Sequence, residues 1–123
     1  MAQIEEYKQH QRDHEKNRYH TDELYNIKKR LRSRLKSALK SKKWLKNNGL
    51  AQYLGCKVDE LKVHFQSKFQ ENMTWEKFLN GEIHIDHIIP LDSCKTEEEM
   101  YKLCHYTNLQ PLWAKDNMKK SNN

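Results

Sequence analysis

The sequence predicts an α+β protein that is mostly helical and carries two short strands near its C-terminus. Two observations carry that prediction. Leu24, Ile27, Leu31, Leu35 and Ala38 recur at spacings of three and four, which is one apolar stripe of a helix. Residues 83–87, IHIDH, instead alternate apolar with polar, the period of a half-buried strand. The bulk numbers set the scale. The chain has 123 residues, 36% of them hydrophobic and 33% charged, enough apolar material for one small core. Three units follow along the chain: a polar arm or exposed helix over 1–20, a basic helical region over 21–80, and a C-terminal unit over 81–123 that is compact with it.

The elements follow in order. Thr21 is the expected N-cap of the first apolar helix, with Asp22 and Glu23 in its first turn, where the helix dipole favours acids. That helix runs to about residue 40, and Asn47-Asn48-Gly49 breaks the chain beyond it. LAQYL is a short helix closed by Gly55. Residues 58–69 are helical, with Leu61, Phe65 and Phe69 on one side. Thr74 caps a turn, TWEKFL, in which Trp75 and Phe78 belong to the core. A strand then runs through IHIDHII until Pro90 ends its ladder. Thr96 and Glu99 form a capping box for EEEMYKLC. YTNLQPLW is a second strand, and AKDNMKKSNN a terminal helix of two to three turns.

Charge points to the partner. The formal net charge is +6, and residues 28–46, KKRLRSRLKSALKSKKWLK, contain no acid. A solvated helix face normally mixes signs, because opposite charges four residues apart support it. A same-sign block repels itself unless an anion neutralises it. Lys28, Lys29, Arg30, Arg32, Arg34, Lys36 and Lys40, with Lys42, Lys43 and Lys46 beyond, are therefore expected to contact the phosphates of a nucleic acid.

Three widely spaced cysteines, Cys56, Cys94 and Cys104, form no CxxC pair. They predict reduced thiols and no structural zinc, Cys104-His105 lacking two further well-spaced ligands. No apolar run approaches the ~18 residues of a membrane span. The polar N-terminus resembles neither a signal nor a transit peptide, so a cytoplasmic protein without a membrane partner is expected.

The chemistry gathers at IHIDHIIPL. Burying a carboxylate without a partner is costly, so a plain core strand has no use for Asp86. A carboxylate is a hard ligand for Mg²⁺ or Mn²⁺, and an imidazole takes a proton from water near neutral pH. Side by side, Asp86 and His87 suit a bound divalent metal and an activated water. Adjacent residues on a flat strand point to opposite faces, so the strand must twist or end there for both to serve one site. An isolated Asp-His dipeptide arises often by chance.

Further residues strengthen the case. IHIDHIIPL, then TNLQPLW, then KDNMKKSN closely resembles the HNH endonuclease family and its ββα-metal finger, over residues 83–123. RLRSRLKSALK and YLGCKVDELKVHFQSKFQENMTWEKF are similar to the N-terminal parts of small phage and prophage HNH proteins. The resemblance implies a mostly helical α+β protein whose basic N-terminal helices precede such a finger. It also implies that His87 is the general base, Asp86 and Asn117 hold one divalent metal, and Asn108 braces the loop between the strands and helps orient His87. His84 shares the face of Asp86 and would contact phosphate or that carboxylate. Lys115, Lys119 and Lys120 flank Asn117 and join the DNA-binding set.

The resemblance makes Mg²⁺ the first choice of metal, with Mn²⁺ or Ni²⁺ as alternatives, and double-stranded DNA the expected partner. Many relatives carry His where this chain has Asn117, and two CxxC pairs that this chain lacks. Hydrolysis of a phosphodiester to a 5′-phosphate and a 3′-hydroxyl follows, by nicking or double-strand cleavage. The sequence leaves open monomer or homodimer, and the choice of setting among phage packaging, homing and defence. The competing readings are a non-cleaving DNA-binding module on the same scaffold and an RNA-binding protein.

Overall fold

The computed structural model describes residues 2–40 and 49–121. In chain order these are α1 (Ala2–Thr21), α2 (Glu23–Leu39), α3 (Leu50–Leu54), α4 (Val58–Ser67), α5 (Trp75–Leu79), β1 (Ile83–His87), α6 (Glu97–Cys104), β2 (Leu109–Trp113) and α7 (Ala114–Ser121). The described residues are mostly helical with a small two-stranded antiparallel sheet, an α+β arrangement. No helix among them is long and apolar enough to cross a membrane.

Residues 1–20 were open between an exposed helix and a frayed arm, and α1 is a helix that is exposed over most of its length. The break before α2 falls one residue later than the expected cap. Thr21 stays helical, its hydroxyl donating to the Asn17 carbonyl, while Asp22 is extended and accepts from the Tyr25 amide at 3.1 Å. A carboxylate accepts that amide and also faces Arg18, which favours Asp over Thr here. Lys42, Lys43, Lys46 and the Asn47-Asn48 break lie outside the described residues.

Ile27, Leu31, Leu35 and Leu39 of α2 are buried, with Leu24 and Ala38 packed at the margin. They meet Leu61 and Phe65 of α4, Phe78 of α5, Ile83 and Ile85 of β1 and Leu109 of β2 in one apolar cluster. Phe65 and Phe78 meet edge to face at 5.5 Å, and Trp75 lies 5.3 Å from Phe78. The Leu112 and Trp113 side chains are only half-buried. At α6, Thr96 accepts from the Glu99 amide, but the Glu99 carboxylate takes the Lys95 amide, so the expected box closes one residue early.

The sheet pairs Ile83 with Trp113, Ile85 with Pro111, Asp86 with Gln110 and His87 with Leu109. In an antiparallel pair alternate residues turn their backbone groups outward. Pro111 sits opposite Ile85, where no ladder amide is required of it. The outward carbonyls of β1 belong to Ile83, Ile85 and His87; the first two are met from α2, and the third accepts from Lys120. Arg30 donates to Ile83 O at 2.8 Å and also to Phe78 O, and Arg34 donates to Ile85 O at 3.1 Å. The basic helix therefore covers the free edge of the sheet.

Candidate functional site

β1 ends at His87, and the chain bends at Ile88. That ending resolves the alternation problem at Asp86-His87: both residues line one groove of about 640 Å³. Arg34 and Ser37 of α2 form one wall, and Asn117 and Lys120 of α7 form another. A second groove, of about 750 Å³, shares Arg34 and Ser37 and continues past His84, Lys29 and Ser33.

Four polar residues at the site are buried: Asp86, His87, Asn108 and Asn117. Asn108 clamps the loop after His87. Its Oδ1 accepts from Ile89 N at 2.9 Å, and its Nδ2 donates to Ile89 O at 3.0 Å and Leu103 O at 2.8 Å. The Ile88 amide in turn donates to Asn108 O. Asp86 accepts from two groups on the same oxygen, Gln110 Nε2 at 2.9 Å and Lys120 Nζ at 2.7 Å. Asn117 faces His84, Nδ2 to Nδ1 at 2.9 Å, so His84 meets the helix amide rather than the Asp86 carboxylate.

The site's imidazoles are held neutral. His87 is pushed down to about 4, by burial first and then by the Arg34 guanidinium; Asp86 opposes this and Lys120 adds to it. His84 is lowered by burial, then by Arg34 and Arg30. A neutral His87 ring keeps one lone pair, whereas the Nδ1 lone pair of His84 takes the Asn117 amide.

The basic block divides by helix geometry. Arg32 and Arg34 are separated by about 200° of rotation on α2, so they cannot serve one surface. Lys29 and Arg34 line the grooves. Arg30 is committed to two backbone carbonyls and stacks its guanidinium 4.0 Å over the Phe78 ring. Lys28, Arg32, Lys36 and Lys40 lie on the other side of the helix and line neither groove. On α7, Lys115 and Lys119 are exposed away from the grooves, and Lys120 reaches Asp86.

The sequence reasoning missed Gln110, whose contact depends on strand register, and the pairing of Lys120 with Asp86. Among the described residues no three His, Cys, Asp or Glu side chains cluster as a metal cage. The donors at the groove are one carboxylate, one side-chain amide and neutral imidazole, a mixed set of hard oxygen and nitrogen. A cation already stands at that carboxylate: the Lys120 ammonium touches Asp86 Oδ2 and the carbonyls of His87 and Ile88. The position thus fits a cation. Cys94 and Cys104 are buried, and burial first, with Cys94 second, pushes the Cys104 thiol up to about 12, so it is a poor thiolate ligand.

No family model matches the chain, and no solved structure matches it. The chain is similar to the uncharacterized protein L426 of Acanthamoeba polyphaga mimivirus. The two are 38% identical over 105 residues, which is 84% of this chain and 45% of that protein. The chain therefore spans about half the length of this curated relative.

Proposed function

We propose that the protein is a divalent-metal-dependent DNA endonuclease or nickase of the HNH kind, with β1, β2 and α7 as its ββα finger. One observation carries the reading: Asp86 and His87 from the end of β1 and Asn117 from α7 line a single groove walled by Arg34 and Lys120. Asp86 and Asn117 would hold the metal, which when bound offsets negative charge building on the scissile phosphate. The protein's own groups do the rest. Arg34 and Lys120 attract the phosphate into the groove. Neutral His87 takes a proton from the attacking water. An anion entering the groove opposes Arg34 and Lys120, which raises the proton affinity of His87 as the substrate arrives. Asn108 holds the loop after His87, and the leaving group departs as a 3′-hydroxyl, with the phosphate left on the 5′ end.

The test is conversion of supercoiled plasmid with Mg²⁺ or Mn²⁺, compared with EDTA, for wild type and His87→Ala. Metal-dependent nicking by wild type alone is expected, with DNA binding kept in the variant. Cutting by His87→Ala at the wild-type rate removes His87 from the mechanism. A non-cleaving DNA-binding module is the second reading, favoured by the ammonium bonded to Asp86. Salt-sensitive binding by both proteins with no cutting by either would support it.

A further inference from the structure

The geometry points to Lys120 as a displaceable internal cation at the metal position beside Asp86, one that sets divalent-ion affinity and couples it to nucleic-acid binding. This rests on the proposed metal site. Lys120 lies three residues after Asn117 on α7, so both side chains face β1. Its Nζ is 2.7 Å from Asp86 Oδ2, 3.1 Å from His87 O and 3.3 Å from Ile88 O. An ammonium has three N–H donors and no acceptor, and here three oxygens take them.

A divalent ion bound to a carboxylate oxygen sits about 2.0–2.1 Å from it in the case of Mg²⁺. Asp86 Oδ2 already accepts from Lys120 Nζ and Gln110 Nε2, which fill its two lone-pair sites, so an ion at that oxygen needs one donor to go, and it repels the like-charged ammonium. Gln110 also donates to Oδ2, so the carboxylate keeps its orientation when Lys120 moves. Lys120 is in the last turn of α7 on a flexible four-carbon stem, and it lines the groove together with Arg34. A phosphate in that groove offers the displaced ammonium a new partner.

Two consequences follow. Apparent metal affinity is reduced by the fraction of molecules in which Lys120 holds Asp86. Any anion that draws Lys120 away tightens metal binding, and by linkage the metal tightens anion binding by the same factor. Lys120 acts through Asp86 and is a positioning residue in this role.

The measurement is the Kd of Mn²⁺ by titration calorimetry for wild type, Lys120→Met and Lys102→Met. Lys102 stands in an exposed pair with Glu98 on α6 and controls for the lost charge. Lys120→Met should bind Mn²⁺ at least tenfold more tightly than wild type, about 1.4 kcal/mol, with Lys102→Met unchanged. Adding Asp86→Asn to Lys120→Met should abolish that gain. Equal or weaker binding by folded Lys120→Met overturns the inference and leaves the metal site standing. Binding by neither protein removes the metal site and this inference together. If Lys120→Met does not fold, Lys120→Gln supplies the same comparison, because it keeps a donor for the carboxylate without the charge.

Discussion

Gln110 stands opposite Asp86 across the two-stranded ladder and donates to its carboxylate at 2.9 Å. The contact aims a buried acid into the groove from the neighbouring strand. Groups that orient a ligand in this way change metal sites by about 10- to 100-fold when removed. Under the proposed nuclease function, Gln110→Ala should slow nicking on the order of tenfold, with duplex affinity by fluorescence anisotropy unchanged. An unaltered nicking rate would remove Gln110 from the site.

Asn108 should matter first to stability. Asn108→Ala removes three part-buried hydrogen bonds, two to the Ile89 backbone and one to the Leu103 carbonyl. The expected loss is about 2–4 kcal/mol, read from urea denaturation. A loss below about 1 kcal/mol would mean that the loop after His87 holds itself.

Arg30 and Arg32 are neighbours in one basic block and should behave differently. Arg30→Met strands the Ile83 and Phe78 carbonyls and removes the contact with the Phe78 ring. It should cost about 2–3 kcal/mol, whereas exposed Arg32→Met should stay within about 0.5 kcal/mol. Parallel urea titrations decide this, and equal effects would refute the edge-anchor role of Arg30.

Stability should fall with acidity through the buried imidazoles. His87 has a folded value of about 4, against about 6.5 when unfolded. Between these values the unfolded chain binds more protons, so stability present above about 6.5 is lost as pH falls toward 4. For this group alone the loss at pH 5 relative to pH 8 is about 2 kcal/mol. His84 and His64, both lowered first by burial, act in the same direction. Urea midpoints at the two pH values should differ for wild type and much less for His87→Gln. A wild-type protein equally stable at both would show that His87 is not a buried neutral base.

Much of this arrangement was legible along the chain because its causes are local. The stripe from Leu24 to Ala38 makes α2 amphipathic, and the alternation in IHIDH makes β1 a strand; each depends on residues a few positions apart. Pro90, Gly55 and Thr74 mark nearby boundaries for equally local reasons. Asp86 and His87 stand out as polar types inside an apolar run, Asn108 and Asn117 only through the resemblance their motifs carry, and all four are buried. The local reading erred by one residue where two adjacent groups competed for a role, Thr21 against Asp22 at the start of α2.

What the sequence determined by itself was therefore the order and kind of the elements and the residue types available for chemistry. The tertiary structure decided which partners those residues meet. Register put Gln110 against Asp86, and the packing of α7 brought Lys120 to that carboxylate from 34 positions away. The orientation of α2 split a uniform run of positive charge into arginines that hold the strand edge and residues that face away. Such pairings depend on how elements dock. Docking is settled by the whole core at once, and no short window of sequence contains it.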